Sequence, residues 1–493
     1  MRGSARSKHQ LITRRLRHFE NANWYPKLGL LSHANRWYNN GLMIWQTYGE
    51  KWLWPSLAIG ILLWGLLNEG AEKQIDAALF ASLSAGMLAL AMVNNNNRTH
   101  LNRLRGWKWA ATGLGLVVLV LVLQFTPFPL NHGGEQTWTR PDMATVDPDN
   151  TFRALISLSS AVAFFIFGAL FAVDRNRRGV VIALIGVALI IILLHAAVAY
   201  NLALQPDDDV AKNMAAKSGL RMSGTFISAN AFASLLLLAF GLLVAVIGAE
   251  MRSFGGKGRH WVRVCSAMLI IATLICLYQT QSRTALILAS ATAFLFALLL
   301  LPKSRRTILA VGVVGLVALI FVGTYADQLG IPMRDFNFAG SYVGRAAEWD
   351  TAWRLTEMRP LLGWGAGTYA WISEPLQNAP LVDVGLTVGT PYNFLLLITS
   401  ETGLLGLIAW SVLGLGLARF VVIGMQAGQR RGILAAGFAL ACGMILVHNF
   451  TDFSLSLAAF SAVWSFVLGY AGGLGSHKSR STLTKVERRP LRP

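Results

Sequence analysis

The sequence predicts an all-α integral membrane protein of about twelve spanning helices, with one large external loop that contains an amphipathic helix. Three observations predict it. Only 14% of the 493 residues are charged and 54% are hydrophobic, whereas an ordinary soluble domain carries roughly 25% charged residues. Charges are almost absent from repeated apolar runs of near twenty residues, the length that crosses a hydrocarbon core about 30 Å thick as a helix. The runs are also continuous, the mark of helices that satisfy their own backbone in lipid.

In chain order, the runs place spans near 53–69, 75–93, 107–126, 152–173, 179–200, 227–249, 262–280, 284–301, 307–325, 394–416, 432–450 and 454–474. Residues 1–52 form a basic, aromatic segment containing Arg14-Arg15-Leu16-Arg17. It is too long and polar for a cleavable signal and suits the surface of an anionic inner leaflet. Residues 475–493 form a basic tail. With both ends in the cytoplasm, about three quarters of the 43 Lys+Arg fall in cytoplasmic segments and about four fifths of the 24 Asp+Glu in external ones. Shifting the frame by one span would put the basic turns at 175–178 and 303–306 outside. The net charge of +19 is therefore an orientation signal and not a nucleic-acid footprint. Cys265, Cys276 and Cys442 all fall in spans, so neither a disulfide framework nor a metal site is suggested.

Three external segments have room for chemistry: 127–151, 201–226 and 326–393. The acidic triplet Asp207-Asp208-Asp209 in the second reads as a solvated loop. The third is far longer than a structureless connection usually is. Within it Arg345, Trp349 and Trp353 recur at i, i+4 and i+8, which predicts a helix with a basic, aromatic face suited to the head-group boundary.

Arg221, Arg283 and Arg345 all map to the external side. Guanidinium groups donate paired, charge-assisted hydrogen bonds to phosphate oxygens, so three together point to an anion site. The plainer alternative is that each reaches water from a helix end. Gly363-Trp364-Gly365-Ala366-Gly367, after Pro360-Leu361-Leu362, lacks the Lys-Ser/Thr of a nucleotide loop and reads as a turn that permits close backbone approach. Glu401 falls inside the tenth span, where it could carry a proton, accept structural hydrogen bonds or pair with an arginine. His448 and Asp452 flank the short turn before the last span, with Asp452 placed to cap the helix beyond it.

The order of these motifs resembles that of the O-antigen ligase and polymerase superfamily of bacterial envelope glycan enzymes, over about 107–474. The resemblance rests on Arg221-x-x-Gly224-Thr225-Phe226 through Asn230, on Ser282-Arg283, and on Arg345 with Trp349. It continues in Pro360 through Gly367, in Asn393 with Glu401-x-Gly403-x-x-Gly406, and in Asp452-Phe453-Ser454-Leu455. It implies an inner-membrane, multi-pass glycosyltransferase with both termini in the cytoplasm and no cofactor. The donor would be a glycan on undecaprenyl diphosphate, the acceptor a glycan or lipid hydroxyl, and the face of reaction periplasmic. Arg221, Arg283 and Arg345 would hold the diphosphate. The family's ligases carry an acceptor-activating His just before the motif Asn, where this chain has Tyr392, and 326–393 contains no His. That departure leaves ligase and polymerase open. It makes Tyr392, Glu401 and His448, with Glu348, the candidates for the catalytic group. A transporter or flippase of lipid-linked glycan and a non-catalytic assembly partner are the competing readings. The notable charges lie near the outer surface and not at the membrane midplane where transporter sites cluster.

Overall fold

A computed structural model describes residues 50–127, 143–203, 221–251, 257–300, 312, 338–376 and 389–475. The N-terminal segment up to 49, the acidic triplet, the span at 307–325 apart from Gly312, and the tail from 476 lie outside the described residues. The chain divides into Met1–Trp54 and Pro55–Pro493. Only a few residues of the first unit are described, and the helical bundle belongs to the second.

The described residues form helices and no strand. In order these are α1 Glu50–Leu67, α2 Gln74–Val93, α3 Asn95–Asn102, α4 Trp107–Leu123, α5 Pro148–Val173, α6 Arg175–Ala203 and α7 Ala229–Met251. Then come α8 Lys257–Gln279, α9 Arg283–Leu300, α10 Phe338–Met358, α11 Tyr369–Ser373, α12 Phe394–Met425, α13 Gln429–His448 and α14 Ala458–Gly473. Short 3-10 turns at Glu374–Leu376 and Ser454–Ser456 complete the set.

Eight of these helices are long and apolar enough to cross a membrane. The pair α3–α4, bent by 98°, makes a ninth if counted as one span. The bend falls near Gly106, whose φ of 80° is a left-handed backbone that glycine alone adopts readily. The twelve spans expected from the apolar runs are therefore not all present as full-length helices. One run lies outside the described residues, and α1 and α14 are apolar but short. At α14 the reason is local. Ser454 and Asp452 engage side chains and backbone around them, and this competes with helical pairing over 454–457.

Close helix pairs are made where small residues face one another. In lipid there is little hydrophobic drive between helices, so intimate packing of small residues holds them together. A Cβ on Gly168 of α5 would strike the Phe466 carbonyl of α14, and one on Gly469 would strike the Phe165 carbonyl in return. Gly113 of α4 and Gly416 of α12 abut the partner backbone in the same reciprocal way. Beside the first pair runs a spine of Phe164, Phe167, Phe171, Phe466 and Tyr470, with neighbouring ring centroids 5.7–6.4 Å apart. The spine lies towards the end of α5 that leads into α6, where the Arg177 guanidinium is 5.9 Å from the Phe171 ring centroid and the Tyr470 hydroxyl donates to the Arg178 carbonyl.

Candidate functional site

At the other end of α5, where Val146 N donates to the Trp364 carbonyl, the loop after α10 is built into the bundle. α10 buries Ala352 and Leu355 against Trp364, Tyr369, Ile372, Val146 and Leu397, a small apolar core shared by the loop and the start of α12. The indole Nε1 of Trp364 donates to the Leu355 carbonyl at 2.8 Å. The Arg359 guanidinium lies 4.1 Å from the Trp364 ring centroid, and its Nη1 donates to the Ala144 carbonyl at 2.8 Å. Burial pulls the Arg359 pKa down to about 10.

The segment Pro360 through Gly367 fills a break in α12. Gly403 has φ 64° and ψ −167°, which interrupts the helix. The freed backbone groups are taken up across the break. Trp364 N donates to the Ser400 carbonyl and Gly365 N to that of Glu401. Leu404 N donates to the Pro360 carbonyl and Leu405 N to that of Leu361. Gly363 and Gly403 allow the two chains to meet, since a Cβ on either would collide with the opposite backbone. Gln124 completes the junction, donating to the carbonyls of Leu362 and Glu401 and accepting from Ala366 N. The Glu401 carboxylate faces the N–H groups of Gly367, Thr368 and Tyr369, the last donating to Oε1 at 3.2 Å.

Beside this junction a polar cluster gathers from four separate segments. Arg221 is anchored by Nε to the Thr280 carbonyl at 2.9 Å and by Nη2 to Asn230 Oδ1 at 2.7 Å. Met222 N donates to the Gln279 carbonyl, so the stretch at 221–222 lies on the turn that leads into Arg283, the first residue of α9. Partial burial, and then the nearby charge of Arg345, hold the Arg221 pKa below its usual value, while Asp452 and Tyr392 oppose this. Arg345 and Glu348 are one turn apart on α10. Glu348 is 7% exposed, and its Oε2 has no hydrogen-bond partner among the described residues. Burial pushes its pKa up to about 7, with Arg345 opposing.

Tyr392 completes the cluster. Its φ of 45° is a left-handed backbone for a bulky residue, a strain of about 1–3 kcal/mol that surrounding structure must hold. It is held by Asn393, whose Oδ1 accepts from Leu395 N and Leu396 N, by Phe394 N donating to the Asn449 carbonyl, and by edge-on contact with Phe453 at 5.4 Å. Burial raises the phenol's pKa, as do Glu348 and Asp452, against the opposing charges of Arg345 and Arg221.

His448 sits behind the cluster in a sealed network. Ser234 Oγ lies 2.8 Å from His448 Nδ1 and 3.0 Å from Asp452 Oδ2, and Ser454 Oγ donates to Ser234 Oγ. Asn449 Nδ2 donates to Ser454 Oγ, and Ser454 N donates to Asp452 Oδ2. Ser234, Asp452 and Ser454 are 0% exposed and His448 is 1% exposed. Asp452 Oδ2 thus meets the 3-10 turn, while Oδ1 has no partner among the described residues. Burial raises the Asp452 pKa, but His448, Phe453 N and Ser234 outweigh it and hold the value below normal.

The structure therefore brings Arg221, Arg345 and Tyr392 together with Glu348 and Asp452. Arg283 comes directly after the turn that Arg221 grips. Glu401 and His448 belong to neighbouring buried networks. Sequence reasoning gave no weight to Arg359 or Gln124, both of which fasten the loop. A polar residue at the end of an apolar run was the one available signal for Gln124. The helix predicted from Arg345, Trp349 and Trp353 is present as α10, with Trp353 54% exposed. Its packing face, however, carries Glu348, Ala352 and Leu355. Among the described residues no group of three His, Cys, Asp or Glu is arranged to hold a metal ion.

No curated protein matches the chain. Residues 267–411 match the family model described as O-antigen ligase. That stretch begins within α8 and includes Arg283, Arg345, Glu348, the Gly363–Gly367 turn, Tyr392 and Glu401. The match spans under a third of the chain and supports a place in the O-antigen ligase and polymerase superfamily, and eight of the described helices are long and apolar enough to cross a membrane.

Proposed function

We propose that this protein transfers a glycan from undecaprenyl diphosphate to an acceptor hydroxyl on the periplasmic side of the membrane. The carrying observation is that Arg221 and Arg345, from segments far apart in sequence, are close enough for each charge to act on the other. Holding like charges together costs free energy, and such arrangements collect at functional sites. An anionic ligand between them would remove that cost. In this reading Arg221 and Arg345, with Arg283 from the adjacent turn, grip the diphosphate. They stabilise the negative charge that develops on it as the glycosidic bond breaks. Asn230 and the Thr280 carbonyl fix the Arg221 fork, so little reorganisation is needed when the leaving group departs.

The Gly363–Gly367 turn and α12 act as the frame. They hold α10, and hence Arg345, against the bundle. The acceptor would be a hydroxyl of a glycan, in a polymerase, or of a lipid-borne core, in a ligase. Tyr392 would serve as a hydrogen-bond donor in its protonated form.

The test uses the full chain in lipid vesicles supplied with an undecaprenyl-diphosphate-linked glycan. The expected result is glycan that is lengthened or moved to an acceptor, with a rate at least about 10²-fold lower in Arg221→Ala or Arg283→Ala. Glycan that crosses the bilayer with its linkage to the carrier intact would replace this reading with that of a transporter.

A further inference from the structure

Resting on the transferase reading, we infer that Glu348 is the proton acceptor for the attacking hydroxyl, doing the work that a base beside the motif Asn would otherwise do. Of the four candidate bases, three are already committed elsewhere. Glu401 directs its carboxylate to the N–H groups of the Gly367–Tyr369 turn. His448 has Nδ1 against Ser234 and Asp452 and is 1% exposed. The Tyr392 phenol is held in its protonated form. Glu348 alone among these four combines a carboxylate oxygen without a partner, among the described residues, with a place one helical turn from Arg345.

A carboxyl kept 7% exposed with an unserved oxygen is expensive, because buried polar groups are almost always hydrogen-bonded. Packing does not require it. Ala352 and Leu355 on the same face of α10 already close the apolar core with Trp364 and Tyr369. The Tyr369 hydroxyl does not relieve it either, since it donates at 3.3 Å to the Glu348 backbone carbonyl and not to the carboxylate. The groups facing Glu348 are Arg345 on its own helix, Tyr369 from α11 and Tyr392 from the approach to α12, with Arg221 and Asp452 beyond Tyr392. A pKa of about 7 suits a group that must take up and release a proton near neutral pH.

In the step assigned to it, the acceptor oxygen bonds to the anomeric carbon as the bond from that carbon to the diphosphate oxygen breaks. The diphosphate leaves with the bonding electron pair, held by the arginines. The hydroxyl proton passes to the Glu348 carboxylate, which afterwards returns it to water.

Glu348→Gln keeps the shape and removes the base. Transfer by the full chain in vesicles is measured across pH 5.5–8.5, roughly a window on either side of the group's pKa, together with the donor KM and thermal stability. The expected result is a kcat lower by about 10²–10⁴-fold, an unchanged donor KM, and loss of the acid limb near pH 7 that the wild-type protein shows. Glu348→Asp should keep that limb and part of the rate. A Gln variant that retains its rate within about threefold with the same limb would overturn the assignment. So would a loss that tracks reduced stability or a raised donor KM, which would make Glu348 a positioning residue. If the wild-type chain moves no glycan, the transferase reading itself falls, and the assignment with it. Those results are distinguishable from a Gln variant that still works.

Discussion

Glu401 and Glu348 are both buried carboxyl groups on helices at the same end of the bundle, and they meet opposite fates. Glu401 sits where α12 breaks, facing three backbone N–H groups of the Gly367–Tyr369 turn. Its neighbours Trp364, Gly365, Leu404 and Leu405 find their carbonyls across the junction. Glu348 lies on α10 with one oxygen unserved and arginines nearby. The first region spends its polar groups on making one structure. The second leaves groups in reserve. The difference separates a frame from a site more clearly than burial or charge does, because both carboxyls are buried and both are acidic.

The largest effect should come from breaking the frame. At Gly403 and Gly363 the backbone is left-handed and a Cβ would collide with the opposite chain. Gly403→Ala should therefore incur both left-handed strain, about 1–2 kcal/mol, and overpacking, about 1–3 kcal/mol. The expected outcome is a large fall in thermal stability in detergent and little folded protein in the membrane. A Gly403→Ala protein as stable as the wild type would mean that the two segments are not locked as described.

Glu401→Gln comes next. Its amide nitrogen cannot accept, so at least one of the facing N–H groups loses its partner, at about 1–3 kcal/mol. Activity should fall only as far as stability does. Measuring both on one preparation separates this from Glu348→Gln, where activity should fall without a loss of stability. A smaller effect is expected at Tyr392. Tyr392→Phe removes a hydrogen-bond donor worth about 1 kcal/mol and should lower the transfer rate by less than about tenfold. An unchanged rate would take the phenol out of the mechanism.

These contrasts also mark what the sequence could and could not disclose. Apolar runs announced most helices, because twenty uncharged residues have few other uses. The break at Gly403 was hidden, since a lone glycine in an apolar run is read as a tolerated helix residue, and Pro360-Leu361-Leu362 gave no sign that it would pair with α12. The arginines stood out as charges near helix ends. Their convergence did not, because it depends on Met222 lying on Gln279 and on α10 turning its Glu348 face inward. The spacing of Arg345, Trp349 and Trp353 drew attention to one flank of α10. Glu348, to which the proton is assigned, lies one turn from Arg345 on the flank beside it, which the spacing did not single out.

The last predicted effect, the change that Arg345 makes in the titration of Glu348, ties the arginines to that carboxyl without using catalysis. The folded-state pKa of Glu348, about 7, is above the value of about 4.3 for an unfolded chain. Below about pH 4.3 both states hold the proton and the carboxyl costs nothing extra. As pH rises through that window the unfolded state releases it first, so stability falls, and the loss is complete once pH exceeds the folded pKa. Glu348→Gln should therefore be more stable than the wild type at pH 8, and the gap should close towards pH 5. Arg345 lowers the Glu348 pKa. In an Arg345→Gln background the carboxyl should keep its proton to higher pH, so the gap between Glu348→Gln and its parent should open at the same pH, set by the unfolded chain, but go on widening to higher pH and end larger. Thermal midpoints of the four proteins across that pH range form a double-mutant cycle. If the gap levels off at the same pH and the same size with and without Arg345, the guanidinium and the carboxyl are not neighbours in any sense that matters. The convergence on which the anion site depends would then lose its nearest pair.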